Sequence, residues 1–184
     1  SGEASPSDSM SSGASTYLTD KEQPMVGRHE TRNEIKRALL NSSSKITVLG
    51  IVGFGGMGKT TLAQDIFNDQ ELVEKFSFRK WVHVGENFDI TRLMNDIIGD
   101  GSQLQNLPDI QSTLIKKIKK KRFLIVLDNA WCTDDNEWDK LWRPLTHGEE
   151  GGAIVVTTRY LTVARAIACG SAYSEHVLGE MPEE

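Results

Sequence analysis

Lys59 and Thr60 have the most specific chemical setting in this chain. They close the run Gly53-Phe54-Gly55-Gly56-Met57-Gly58-Lys59-Thr60-Thr61, which matches the pattern G-x-x-x-x-G-K-S/T. Gly53, Gly55, Gly56 and Gly58 let the backbone curl so that successive N–H groups converge on an anion, with Met57 and Thr61 completing the cradle. Lys59 brings a point charge suited to β- and γ-phosphates, and the Thr60 hydroxyl is a ligand type for Mg²⁺. A glycine-rich turn that happens to fit is the competing account. The flanks argue against it: Ile46–Val52 reads as a buried strand and Leu62–Phe67 as a helix, the context this pattern requires. The helix adds the positive end of its dipole to the cradle. The chain is read as binding a nucleoside phosphate.

Phosphoryl chemistry also needs an acid that positions a metal. Asp128 follows Phe123-Leu124-Ile125-Val126-Leu127, at the carboxyl end of a wholly apolar strand where open α/β sheets bind ligands. It could hold Mg²⁺ directly or through water; the plainer role is a turn cap. Arg159 ends the strand Ala153–Thr158 at the same sheet edge, where a guanidinium could reach a γ-phosphate and report its presence. A solvent-facing arginine opening the next helix is the plainer alternative.

The elements that must position these residues alternate along the chain. A helix is predicted after Val26-Gly27-Arg28, with Ile35, Ala38 and Leu39 on one face, ending at Asn41–Ser44. A second strand is predicted at Arg79–Val84, and a helix capped by Asp89 carries Ile90, Leu93, Met94 and Ile97. Another starts near Pro108-Asp109 and ends in Lys116–Lys120, with charges that suit the helix dipole. A short helix with Trp138, Leu141 and Trp142 is predicted to stop before Pro144. A helix at Val163–Ile167 and a strand near His176–Leu178 complete the pattern. Apolar strands alternating with helices predict a parallel sheet covered on both faces. Trp81, Trp138 and Trp142 are read as core, with an exposed partner surface as the alternative for the last two.

Composition narrows the class. A hydrophobic share of 38% and a charged share of 26% suit a globular protein, and a net charge of −5 argues against a dedicated nucleic-acid binder. The basic run Lys116–Arg122 could contact nucleic acid or serve as a nuclear address; a solvated helix end is the plainer account. No apolar run is long enough for a membrane span and no secretory leader pattern opens the chain, which points to the cell interior. Cys132 and Cys169 suggest free thiols, and His29, His83, His147 and His176 lack metal-ligand spacing. Residues 1–20, rich in Ser, Gly, Ala and Thr, are expected to be a disordered linker or expression tail, and 21–184 one domain. The absent initial methionine and the abrupt finish at Pro182-Glu183-Glu184 suggest a fragment of a longer protein.

Five motifs in order resemble the nucleotide-binding part of the NB-ARC module of plant nucleotide-binding leucine-rich-repeat immune receptors. Val26-Gly27-Arg28 resembles the family segment lying against adenine, and Gly53–Thr61 matches its G-x-G-G-x-G-K-T-T loop. Phe76–Asp89 contains its W-V-x-V core, Lys121–Trp131 resembles the acidic strand, and Gly152–Arg159 the sensor strand whose arginine contacts the γ-phosphate. The resemblance implies an α/β fold of the P-loop NTPase type: a three-layer sandwich with a mainly parallel five-stranded sheet and helices on both faces. It implies ADP or ATP with Mg²⁺, the metal held by Thr60 and Asp128, with Asp128 and Arg159 as the catalytic pair. It also implies a switch, off with ADP and on with ATP, in a cytoplasmic receptor with the nucleus a second location. Its partners would be the receptor's own signalling and leucine-rich-repeat domains, with self-association on activation.

Two departures bear on this. The family reads L-D-D-V-W where this chain has Leu127-Asp128-Asn129-Ala130-Trp131, and an amide cannot take a proton from water. At most slow ATP hydrolysis is expected. The family's downstream G-L-P-L and M-H-D segments are absent from the sequence, so nucleotide is expected to bind in an open half-site. A free-standing phosphoryl-transfer enzyme or another signal-transduction ATPase is the alternative, although no lid-like insertion or second arginine cluster accompanies the loop.

Overall fold

The apolar runs separate into strands and helices because their side-chain periods differ. A computed structural model describes residues 15–179, with side chains described from Arg28 onward. In chain order the elements are α1 (Ser15–Asn41), β1 (Ile46–Val52), α2 (Lys59–Phe67), α3 (Gln70–Lys75), β2 (Phe78–His83), α4 (Ile90–Ile98), α5 (Leu107–Ile118), β3 (Phe123–Ala130), α6 (Asp135–Leu145), β4 (Gly152–Thr158), α7 (Leu161–Ala168) and β5 (Ala172–Val177). The strands lie in the order β2-β3-β4-β1-β5, and every pairing is parallel. Register brings Val52 opposite Thr158, and His83 opposite Asp128, so the carboxyl ends form one edge.

Strand alternation sorts the core into two layers. Along β3, Phe123, Ile125 and Leu127 join one cluster while Leu124 and Val126 join the other. Ile154 and Val156 of β4 follow the first set, and Ala153 and Val155 the second. The first layer is closed by α4–α7, through residues such as Leu93, Leu114, Trp138 and Ile167. The second is closed by Ile35 and Leu39 of α1, Leu62 and Ile66 of α2, and Leu72 of α3. Each such buried aliphatic side chain contributes about 1.5–3 kcal/mol, so both faces of the sheet must be covered.

Several boundaries differ from the sequence reading. Of the expected tail, residues 1–14 lie outside the described residues, while 15–20 are drawn into α1, which starts well before Arg28. Local propensity does not anticipate that extension, which runs through Pro24 and Gly27, both unfavourable inside a helix. The helix predicted to stop before Pro144 instead includes it. Proline cannot donate to the Lys140 carbonyl one turn back, but Gln111 Nε2 of α5 donates to that oxygen at 2.9 Å. The acceptor is therefore satisfied from a neighbouring helix. Trp138 is fully buried, whereas Trp142 and Trp81 are half-buried; Trp142 Nε1 donates to the Ile167 carbonyl at 2.5 Å and Trp81 meets Phe67 edge-on. Helix α3 was not anticipated. No helix among the described residues is long and apolar enough to cross a membrane, and Cys132 and Cys169 are unpaired.

Helix α3 depends on Asp69. Its Oδ1 accepts from the N–H groups of Glu71 (3.0 Å) and Leu72 (3.4 Å), while Oδ2 accepts from Arg32 and Lys36 of α1, both at 3.0 Å. Burial pushes this carboxyl up, but the Lys36 contact and the backbone N–H groups outweigh it and hold the pKa below the usual value. A depressed folded-state pKa contributes stability above the unfolded-state value, and that stability is lost as pH falls through the lowered one. Asp69→Ala is expected to cost about 1–2 kcal/mol through the lost cap. Asp69→Asn, which keeps a capping acceptor, is expected to cost less while removing the same acid-dependent part, as urea titrations at neutral and acid pH would show.

Candidate nucleotide-binding site

The glycine loop leaves β1 at the carboxyl edge, where Gly53 N–H donates to Thr158 O of β4 at 3.1 Å. Gly56 and Gly58 both adopt φ 81°, a backbone region that side chains rarely enter. Gly53 is needed for a reason the pattern does not state. A Cβ there would lie 2.7 Å from the Leu178 carbonyl oxygen, because the segment after β5 presses against the loop. Lys59 opens α2, and its ammonium folds back to donate to the carbonyls of Gly53 and Phe54, both at 2.6 Å. Burial first, then the Arg159 charge, lower its pKa, and Asp128 partly offsets them.

Arg28 of α1 also grips the loop. Its Nη2 donates to the Met57 carbonyl, while its Nη1 is buried without a hydrogen-bond partner near Gly58. Burial lowers this guanidinium's pKa. Cations crowded at a left-handed glycine loop, one with an unused buried donor, fit a polyphosphate anion.

Asp128 is only 7% exposed and is tied on three sides. Its Oδ1 accepts from Thr60 Oγ1 at 2.9 Å and from Thr157 Oγ1 at 2.7 Å, and His83 Nδ1 lies 3.4 Å from Oδ2. The two candidate metal ligands therefore sit in direct contact, a hydroxyl–carboxylate oxygen pair of the kind Mg²⁺ takes. Beyond Asp128 the β3–β4 register shifts, and Asn129 adopts φ 59°. Asparagine tolerates that conformation better than most residues. The strand expected to end at Asp128 thus continues through a bulge to Ala130. Asn129 N–H donates to Thr157 Oγ1 at 2.8 Å, and Asn129 Oδ1 accepts from Trp131 Nε1 at 3.0 Å.

The structure brings Gly53, Gly55, Gly56, Met57, Gly58, Lys59, Thr60, Asp128 and Arg159 to one edge; a Cβ on Gly55 would lie 3.3 Å from Arg159 Nη2. Thr61 is the exposed next residue of α2. Val26 and Gly27 lie in α1, with side chains outside the described ones. Sequence reasoning passed over Thr157, His83 and Trp131. A threonine one step before the strand end, in line with the buried acid, was the available signal for Thr157. For Trp131 the signal was its place at the end of the acidic motif Leu127–Trp131; His83 had none beyond its strand.

A parallel sheet with a glycine loop after an inner strand and an acid at the end of another is the fold of the P-loop NTPases. It is shared with solved archaeal proteins: the Aeropyrum pernix ORC1 protein in complex with DNA has a TM-score of 0.60 at 15% identity, covering 83% of this chain and 45% of that one. Cdc6p from Pyrobaculum aerophilum has a TM-score of 0.58 at 13% identity, covering 80% of this chain and 44% of that one. The NB-ARC domain profile matches residues 28–180, and the chain belongs to the NB-ARC family. It is 38% identical over 151 residues to disease resistance RPP13-like protein 4 of Arabidopsis thaliana, covering 78% of this chain and 17% of that protein. It is 39% identical over 145 residues to putative disease resistance protein RGA4 of Solanum bulbocastanum, covering 75% of this chain and 15% of that protein. The chain thus spans about a sixth of the length of these curated relatives.

Thr157→Val keeps the shape but removes a donor to Asp128 and the acceptor for Asn129 N–H. A loss of about 1–3 kcal/mol in folding stability is expected from the unpaired buried groups, measurable by denaturant titration.

Proposed function

We propose that this domain is the adenine-nucleotide switch of a plant disease-resistance receptor, off with ADP and on with ATP, and a weak ATPase at most. The observation that carries this reading is the convergence of Lys59, the Thr60–Asp128 pair and Arg159 on one glycine loop. Bound ATP would supply a γ-phosphate that ADP lacks, and that group is the chemical difference between the two states. Lys59 supplies charge to the phosphates, Thr60 and Asp128 supply oxygens for the ion, and Arg159 supplies donors at the end of β4. A switch needs only a difference in affinity between two conformations, so fast turnover is not required. Asn129 supports the slow-hydrolysis reading: its amide cannot accept a proton, and its oxygen is already engaged by Trp131.

The proposed partners are the adenine nucleotide, the receptor's own signalling and leucine-rich-repeat domains, and other copies of the receptor upon activation, in the cytoplasm with nuclear entry open. The disease-resistance names of the relatives and the family resemblance support this wider reading.

Isothermal titration with ADP and a non-hydrolysable ATP analogue, in the presence of Mg²⁺, tests it. Saturable binding is expected, with a loss of about tenfold or more for both nucleotides in Lys59→Ala through the missing phosphate charge. Unchanged affinity in a folded Lys59→Ala protein would remove the loop as the site. Asn129→Asp is expected to raise single-turnover ATP hydrolysis by about 10²-fold if a missing base limits it; an equal rate would place the limit elsewhere.

A further inference from the structure

Arg159 is held in an unusual way. Among the described residues it makes no hydrogen bond or ion pair, and it is exposed at the end of β4. Its guanidinium stands over the Trp131 ring, 5.9 Å from the centroid, and a Cβ built on Gly55 of the phosphate loop would lie 3.3 Å from its Nη2. The ring itself is fixed. Its Nε1 donates to Asn129 Oδ1 at 3.0 Å, and Tyr160 packs edge-on to it with centroids 5.8 Å apart.

We infer that Trp131 is the positioning residue for Arg159, holding the guanidinium beside the phosphate loop so that the domain tells a nucleoside triphosphate from a diphosphate. This rests on the nucleotide reading above and deepens it. A free arginine side chain has many rotamers, and ordering it on a phosphate costs conformational entropy. Lys59 repels it from the loop, since the two charges feel each other. The negative face of an indole offsets both effects: it attracts the cation and restricts its rotamers before ligand arrives. Asn129 acquires a role in this arrangement that is unrelated to water. Its left-handed backbone, at φ 59°, turns the amide oxygen toward the indole N–H. The bulge that displaces Asn129 thereby links the acid strand to the arginine of the next strand.

The test compares ADP and a non-hydrolysable ATP analogue, each with Mg²⁺, on the protein and on Arg159→Ala, Trp131→Leu and the double variant. Arg159→Ala is expected to weaken the analogue more than ADP. Trp131→Leu is expected to weaken the analogue about fivefold relative to ADP, and to add nothing in the Arg159→Ala background. Should Trp131→Leu not fold, Trp131→Phe serves: it keeps a ring but loses the N–H, and a smaller loss of about twofold in the same ratio is expected. An Arg159→Ala variant that weakens both nucleotides equally, or neither, would defeat the γ-phosphate reading of the site. With Arg159→Ala selective, an unchanged ratio in the tryptophan variants, or full additivity in the double variant, overturns the role given to Trp131. In the free protein, an upfield ring-current shift of the Arg159 side-chain protons, lost in Trp131→Leu or reduced in Trp131→Phe, is expected by nuclear magnetic resonance; its absence overturns the contact directly.

Discussion

A carboxylate buried at the end of a hydrophobic strand must be satisfied by its neighbours, and Asp128 sets the terms on which three elements meet. Thr60 from α2 and Thr157 from β4 donate to one oxygen, and His83 from β2 lies beside the other. Burying this charge without donors would cost several kcal/mol, so the hydroxyls and the acid must arrive together. That requirement fixes where α2 begins relative to β3, and so where the glycine loop joining β1 to α2 must arch.

The same edge carries two features of opposite stiffness. The loop uses glycine conformations and close backbone contact, pinned by Leu178 at Gly53 and by Arg28 at Met57. Arg159, among the described residues, has no hydrogen bond and leans on the Trp131 ring face. A ligand that reaches the loop thus meets a rigid cradle, while one that extends further meets a side chain without hydrogen bonds among the described residues. This difference in preorganisation is a physical basis on which one site can respond differently to two ligands that share most of their atoms.

Asn129 shows how a substitution is better judged within its fold than by its chemical class. Against the family pattern the change from acid to amide reads as a loss, since an amide cannot accept a proton. In the structure the residue occupies a left-handed bulge, and both its backbone N–H and its side-chain oxygen have partners. Its position serves packing between β3 and β4 as much as any chemistry.

Much of the architecture was legible in the sequence because it rests on period and composition. The apolar run Phe123–Leu127 demanded a strand buried on both faces, and the glycines with Lys59 and Thr60 demanded a strand before and a helix after. Asp89 announced α4 as an N-cap, and its side chain does accept from Thr91 and Arg92 N–H. The strand order, the bulge at Asn129 and the helix that carries Pro144 to its end were not legible. Each depends on a partner distant in the chain: Thr157 for Asn129, Gln111 for the carbonyl that Pro144 leaves unpaired, and pairings such as Val52 with Thr158 for the strand order. Local sequence determined which residue types are available for chemistry and which elements they end. Tertiary structure alone decided which of them touch, because hydrogen bonds and ring contacts are satisfied by proximity in space, and sequence spacing does not encode it.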